Sequence, residues 1–272
     1  MRRDSGGFTR VLFVAANTLY MLTICGILLT VVLNSFSKNW FSGVLPTTWT
    51  FEWYRYAARA HDIPHLIQVT LLVVVLVVGL SLLIAFPAAY VMAKRAFRLK
   101  NAILMLFLLP MVIPPMTYGL PLAIVLYKIR LAPNLSAVVI SNMVPTVSFM
   151  ILVLIPFIEQ VGENLESAAR MLGATKRKVF LRIMVPLTLP GILTAVLLSV
   201  VRTISMFELT FLVASVKTQT LIVQLFSDVY APGFRPFQAI DALAVIFFCL
   251  TMATFIVSLK FVSPTQMVVK IK

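Results

Sequence analysis

Few side chains in this sequence are of kinds that do chemistry, and their spacing sorts them quickly. His61 and His65 stand four residues apart, a spacing that puts two metal ligands on one helix face. Pro64 lies between them and no further ligand is close in the sequence, so no resident metal is expected. Cys25 and Cys249 each sit inside an apolar run, which reads as two small buried hydrophobes and not a disulfide or metal pair. No Gly-x-x-x-x-Gly-Lys-Ser/Thr phosphate loop occurs, so the chain is not expected to bind ATP by that route. No set of His, Cys or carboxylates has catalytic spacing, and no catalytic residue is expected. Two polar groups remain. Arg202 and Glu208 share one apolar stretch, with Ser205 three residues from each, and Thr117 and Tyr118 stand among Pro110, Pro114, Pro115, Gly119 and Pro121.

The elements that hold these residues are set by composition. Of 272 residues, 61% are hydrophobic and 12% charged, with mean hydropathy +1.01. Soluble domains carry about 25% charged and about 45–50% apolar residues, so the exterior of this chain must face lipid. Six continuous apolar runs are long enough to cross a bilayer as helices: 11–33, 66–92, 102–127, 135–158, 187–214 and 241–262. The runs do not alternate, which argues against a barrel. The expected fold is therefore all-α and integral to the membrane, one domain over 1–272, with the first run retained as a helix.

The net charge of +14 would suggest nucleic acid in a soluble protein. Here the cations fall between the runs, and topology explains them. Arg2, Arg3, Arg10, then Lys94, Arg95, Arg98, Lys100, then Arg170, Lys176, Arg177, Lys178, Arg182, and finally Lys260, Lys270, Lys272 put fifteen on one side. Lys38, Arg55, Arg59, Lys128, Arg130, Lys217 and Arg235 put seven on the other. The positive-inside rule then places both termini in the cytoplasm. Trp40, Trp49 and Trp53 fall in the first external loop, at home at the interface, and 50–65 reads as a short helix on the outer face.

The polar residues inside the runs are open to two readings each. The proline-rich third run must bend or break, either beside a solute route or as a packing kink. Arg202 and Glu208, six positions apart on a continuous helix, would lie about 120° apart and not pair with each other. They either line a route or a subunit interface, or pair with neighbouring spans. Asp228 and Asp241, near the outer face, read as solvated.

Between the fourth and fifth runs, 159–186 reads as a helix–turn–helix. Leu165, Ala168, Ala169 and Leu172 recur at helical spacing. Glu163 and Glu166 favour the helix start, and Glu166 is placed to pair with Arg170. Gly173 suits a left-handed cap, Thr175 caps a second helix, and Pro186 and Pro190 end it. Such a hairpin either docks a partner through its small residues or rests on the bilayer surface.

The stretch Glu166-Ser167-Ala168-Ala169-Arg170-Met171-Leu172-Gly173, with Ile183, Val185 and Pro186, resembles the cytoplasmic signature of ABC-importer permeases. That pattern runs Glu-Ala-Ala, three residues, Gly, nine residues, Ile, one residue, Leu-Pro. Ala168, Ala169, Gly173, Ile183 and Pro186 are in register, while Ser167 stands at the usual glutamate and Val185 at the usual leucine. The resemblance implies a type I importer fold of about six spans in a bacterial inner membrane. It implies that Glu166, Ser167, Ala168, Ala169, Arg170, Leu172, Gly173 and Ala174 form a coupling helix against a cytoplasmic ATPase dimer, which holds ATP and Mg. A second, non-identical permease chain and a soluble solute-binding protein complete the implied assembly. The segments Asn34-Ser35-Phe36, Trp49-Thr50-Phe51-Glu52-Trp53-Tyr54 and Leu109-Pro110-Met111-Val112-Ile113-Pro114-Pro115 look like the polyamine-type branch, which also serves ferric iron, phosphonates and other small solutes. An ion-driven secondary transporter is the rival; it would account for broken helices but not for the hairpin signature.

Overall fold

The computed structural model describes residues 5–40, 43, 45–230 and 236–261. Arg2, Arg3, Arg235, Lys270, Lys272 and the last residue of the sixth run lie outside them. Among the described residues the chain is helical, with one isolated bridge between Ser37 and Trp49. Its helices are α1 Ser5–Ser35, α2 Glu52–Ala60, α3 Ile63–Lys94, α4 Lys100–Val112, α5 Pro115–Lys128, α6 Leu135–Glu159, α7 Glu163–Met171, α8 Lys176–Leu187, α9 Leu189–Ile204, α10 Glu208–Val213, α11 Leu221–Tyr230 and α12 Phe237–Phe261. Helices α1, α3, α6 and α12 are each long and apolar enough to cross a membrane, and α4–α5 and α8–α9 are bent pairs that bring the number to six if each pair is one span.

Helix α3 has mean hydropathy 3.1 and holds Pro87 inside it; α6 holds Pro145 and Pro156. Membrane helices tolerate such prolines because neighbouring groups re-satisfy the freed carbonyls. The 98° bend between α4 and α5 follows directly from the sequence. Ile113 and Pro114 each precede a proline, so both are driven out of the helical region, to ψ 131° and 134°. Pro115 then opens α5 at a position where its missing N–H costs nothing. The expected break of the third run is thus realised.

The fifth run departs from expectation. A single helix over 187–214 is not what forms: α9 ends at Ile204, residues 205–207 are non-helical, and α10 starts at Glu208. No Gly or Pro lies between 192 and 231 to announce the break. Tertiary packing holds it instead. Gly119 of α5 lies so close to α10 that an added Cβ would stand 2.7 Å from Leu209 Cδ2 and 3.1 Å from Leu212 Cδ1. Nor does Pro186 end α8. A π turn over Phe180–Met184 widens the helix just before the proline ring, relieving its clash with the preceding turn, and the 68° bend falls at Thr188.

The chain forms two compact units, 1–63 with 225–249, and 64–224 with 250–272. In the first, Phe36 packs on Phe51 and Tyr54, Ser35 Oγ is 2.8 Å from Tyr54 Oη, and Trp53 Nε1 donates to the Ser37 carbonyl at 2.6 Å. Asn34 Nδ2 donates to Asp241 Oδ2 at 2.5 Å, and His61 Nε2 lies 2.7 Å from Asp228 Oδ2. Both aspartates are therefore engaged and Asp228 is buried, contrary to the expectation of solvated groups. Cys25 and Cys249 are exposed, not buried. Helices in lipid turn apolar side chains outward, so an apolar run does not imply a protein-buried cysteine.

In the second unit Val69, Val73 and Val77 of α3, Ala123 and Leu126 of α5, Ala137, Val138 and Val139 of α6, and Val213 of α10 form one apolar cluster. An added Cβ at Gly191 of α9 would meet the Phe157 ring of α6 at 2.4 Å, so these two helices approach at van der Waals distance.

Candidate functional site

The hairpin at 163–187 is built as its spacing predicts, with the apolar residues of α7 turned outward. Gly173 ends α7 with φ +82°, a conformation that other side chains resist, and Thr175 accepts from the Lys178 amide at 3.3 Å to start α8. Glu166 and Arg170 pair at 3.2 Å. The Glu166 carboxylate is 8% exposed and turned inward, where Tyr90 of α3 donates to Oε2 at 3.0 Å. The pairing with Arg170 is the one that the i, i+4 spacing predicts, and the carboxylate is engaged within the chain. Further contacts fasten the segment to α3, and residues of its own are buried. Phe180 packs edge-on against Tyr90 and also against Phe86, Lys94 Nζ donates to the Val161 carbonyl, and Val179 and Met184 are fully buried.

The outer face of α7 carries large apolar side chains. Leu165, Ser167, Ala168, Arg170, Met171, Leu172 and Gly173 are exposed, with Leu172 at 89%, while Ala169 and Ala174 are half-buried. A carboxylate inside and leucines outside reverses the arrangement of a helix lying in water. An exposed apolar face of this kind marks a surface that binds something.

The second polar region lies at the helix breaks. Tyr118 of α5 lies within electrostatic reach of both Arg202, in the last turn of α9, and Glu208, in the first turn of α10. The Tyr118 hydroxyl is buried with no hydrogen-bond partner among the described residues. Arg202 lies over the face of Phe149 at 5.1 Å from the ring centroid, a contact worth about 0.5–2 kcal/mol. Neither Arg202 nor Glu208 makes an ion pair among the described residues. Ser205 is exposed at the end of α9, and Thr117 is exposed on α5, beside the cluster in sequence. The angular separation expected for a continuous helix does not apply, because the chain breaks between Arg202 and Glu208.

Several contributors were not visible in the spacing. Asn142 of α6 donates to Thr210 Oγ1 of α10 at 2.9 Å and to the Val138 carbonyl, leaving its Oδ1 buried and unpartnered. The signal available was a carboxamide within an apolar run. Tyr90 had none, being 76 residues from Glu166. The two histidines share no ligand: His61 meets Asp228, and His65 Nε2 lies 2.9 Å from the Lys217 carbonyl oxygen. Among the described residues no three His, Cys, Asp or Glu side chains converge.

Comparison with known proteins agrees with this architecture. Residues 85–264 match the family model described as binding-protein-dependent transport system inner membrane component. The chain is 27% identical over 169 residues to the molybdenum transport system permease protein ModB of Haemophilus influenzae, covering 56% of this chain and 74% of that protein. It is 29% identical over 153 residues to the spermidine/putrescine transport system permease protein PotB of Escherichia coli, covering 50% and 56%. In fold it is similar to a crystal structure of a bacterial ABC transporter involved in the import of the acidic polysaccharide alginate, with TM-score 0.78 and 16% identity over 96% of this chain and 99% of that one.

Proposed function

The chain belongs to the family of binding-protein-dependent transport system inner membrane components, and from that membership we propose how its two polar regions divide the work of import. It is a multi-pass inner-membrane permease subunit of an ABC importer, a transport protein and not an enzyme. ATP and its Mg are handled by a partner ATPase, and solute is delivered by a binding protein.

The hairpin is the grip for the ATPase. The observation that carries this is the outward apolar face formed by Leu165, Ala168, Met171 and Leu172, on a hairpin otherwise locked to α3 by Tyr90, Phe180 and Lys94. A handle of this kind passes on a push only if it cannot swivel, and the buried contacts prevent swivelling. Ser167 is exposed and reaches the partner as a hydroxyl, while Glu166 serves the inside of the joint. Closure and opening of the ATPase dimer then move α3 and the bent pair α8–α9, and the unwound residues 205–207 absorb the change in alternating access.

The breaks line the route. Tyr118, Arg202 and Glu208, with Thr117 and Ser205 at the edge, supply a hydroxyl, a cation and an anion to passing solute. Arg202 rests on the Phe149 ring, whereas the Glu208 carboxylate has no counter-ion among the described residues. Glu208 can receive a cationic solute of polyamine type, a reading that the likeness to PotB supports. The likeness to ModB supports the other reading, an oxyanion on Arg202. A second permease chain, similar but not identical, supplies the other half of the route, and both termini face the cytoplasm.

Proteoliposomes holding the complete complex test this. ATP-dependent uptake of labelled spermidine, inhibited by vanadate, supports the reading. Uptake of molybdate in place of spermidine transfers the solute assignment to Arg202. Uptake indifferent to vanadate removes the ATP-driven mechanism.

A further inference from the structure

The loop joining α3 to α4 carries four cations in seven residues, Lys94, Arg95, Arg98 and Lys100, and it is not extended. It folds into an open cup of about 390 Å3 lined by these four with Ala93, Ala96, Phe97 and Asn101. No carboxylate lines the cup. The adjoining notch, of about 150 Å3, contains Glu166, but that group is already paired with Arg170 and Tyr90. Lys94 is held by the Val161 carbonyl. Arg95, Arg98 and Lys100 have no acidic partner among the described residues.

Helix α4 runs directly from the cup, and it is apolar without a single buried residue. Met105 is 72% and Val112 79% exposed, with Leu106 and Leu109 also uncovered, and Leu99 stands exposed at the rim. A concentrated positive cup at the end of a helix with an uncovered apolar face has the two chemistries of one molecule, a phosphodiester and an acyl chain. Charge complementarity selects among lipids: a zwitterionic headgroup brings its own ammonium into a cup that already holds four cations, and an anionic one does not.

We propose that the cup between α3 and α4 is a binding site for an anionic phospholipid of the inner leaflet, its phosphate held by Arg95, Arg98 and Lys100 and its chain laid along the outer face of α4. The placement rests on the cytoplasmic orientation of this loop proposed above. The lipid would sit beside the Lys94–Val161 contact that fastens the hairpin, so its occupancy bears on how firmly that joint is held.

Native mass spectrometry of the purified full chain tests the site without need of ATPase or solute. The chain is delipidated and then equilibrated with equal amounts of phosphatidylglycerol and phosphatidylethanolamine in detergent. The expected result is one phosphatidylglycerol retained per chain at activation energies that strip phosphatidylethanolamine. The variant Arg95→Gln/Arg98→Gln/Lys100→Gln should lose that retention by at least about tenfold, since each surface cation contributes to anionic lipid binding. The variant Lys176→Gln/Arg177→Gln/Lys178→Gln removes the same charge elsewhere and should retain the lipid. Equal retention of both lipids, or equal loss in both variants, overturns the site in favour of general surface charge. Displacement of phosphatidylglycerol by millimolar inorganic phosphate overturns the lipid in favour of a free anion. Circular dichroism of both variants, whose altered side chains lie at the surface apart from the half-buried Lys100, separates unfolding from loss of binding.

Discussion

The hairpin at 163–187 and the helix breaks around Tyr118, Arg202 and Glu208 are opposite constructions. In the hairpin's first helix, α7, the buried carboxylate is satisfied and large apolar side chains are left outside. At the breaks, helices α5, α6 and α10 pack tightly through Gly119 and the Asn142–Thr210 bond, and the polar groups between them are left unsatisfied. The difference teaches what each region awaits. A covered carboxylate beneath exposed leucines is completed by an apolar protein surface. A buried hydroxyl and two unpaired charges are completed by something polar that comes and goes.

The comparison is easiest to break at the hairpin's outer face. Leu172→Asp puts a charge where the account places a desolvated contact, yet the side chain touches little of its own chain. ATPase co-purification should fall by about a hundredfold, the scale of a single interface hot spot, with the melting temperature of the chain unchanged. Undiminished ATPase binding would mean that the exposed leucines face lipid.

Glu208→Gln sharpens the other side. Uptake by the complete complex should fall by at least about tenfold while ATPase still co-purifies, because a charge facing a polar route acts on solute and not on assembly. Normal uptake would remove Glu208 from the route. Gly191→Ala tests the scaffold beneath both regions: its methyl would overlap the Phe157 ring, which should cost about 1–3 kcal/mol and appear as a lower melting temperature in detergent.

Tyr90→Phe removes one bond to the buried Glu166 carboxylate, a cost of about 1.5–3 kcal/mol that is confined to the hairpin joint and should appear as faster hydrogen exchange in α7. Tyr118→Phe is the smallest and has the opposite sign. The hydroxyl has no partner among the described residues, so its removal should leave stability unchanged or raised by up to about 1 kcal/mol while uptake falls by a few-fold. A loss of stability would show that Tyr118 holds the fold and does not wait for solute.

How much of this was legible in the sequence depends on which forces left a local trace. Consecutive prolines at 114 and 115 dictate the α4–α5 bend through the conformations they forbid, and the hairpin's Gly173 and Thr175 mark their own roles. The break at 205–207 left no such mark, because it is imposed by α5 and α6 packing on α10. The apolar pattern of Leu165, Ala168 and Leu172 was visible, but its direction was not. Spacing shows that one face is apolar and cannot show whether that face is inside. Tyr90, on a distant helix, decided it by capturing Glu166.

The most direct measurement is site-specific crosslinking from Ser167→Cys in a chain carrying Cys25→Ala and Cys249→Ala, purified in mild detergent with whatever accompanies it. The account predicts a covalent product with an ATPase subunit, identified by mass spectrometry, and its disappearance when Leu172→Asp is added. A chain that purifies folded and alone, with its Ser167→Cys thiol equally reactive in membranes and in isolation, would contradict the claim that this hairpin is where the importer is driven.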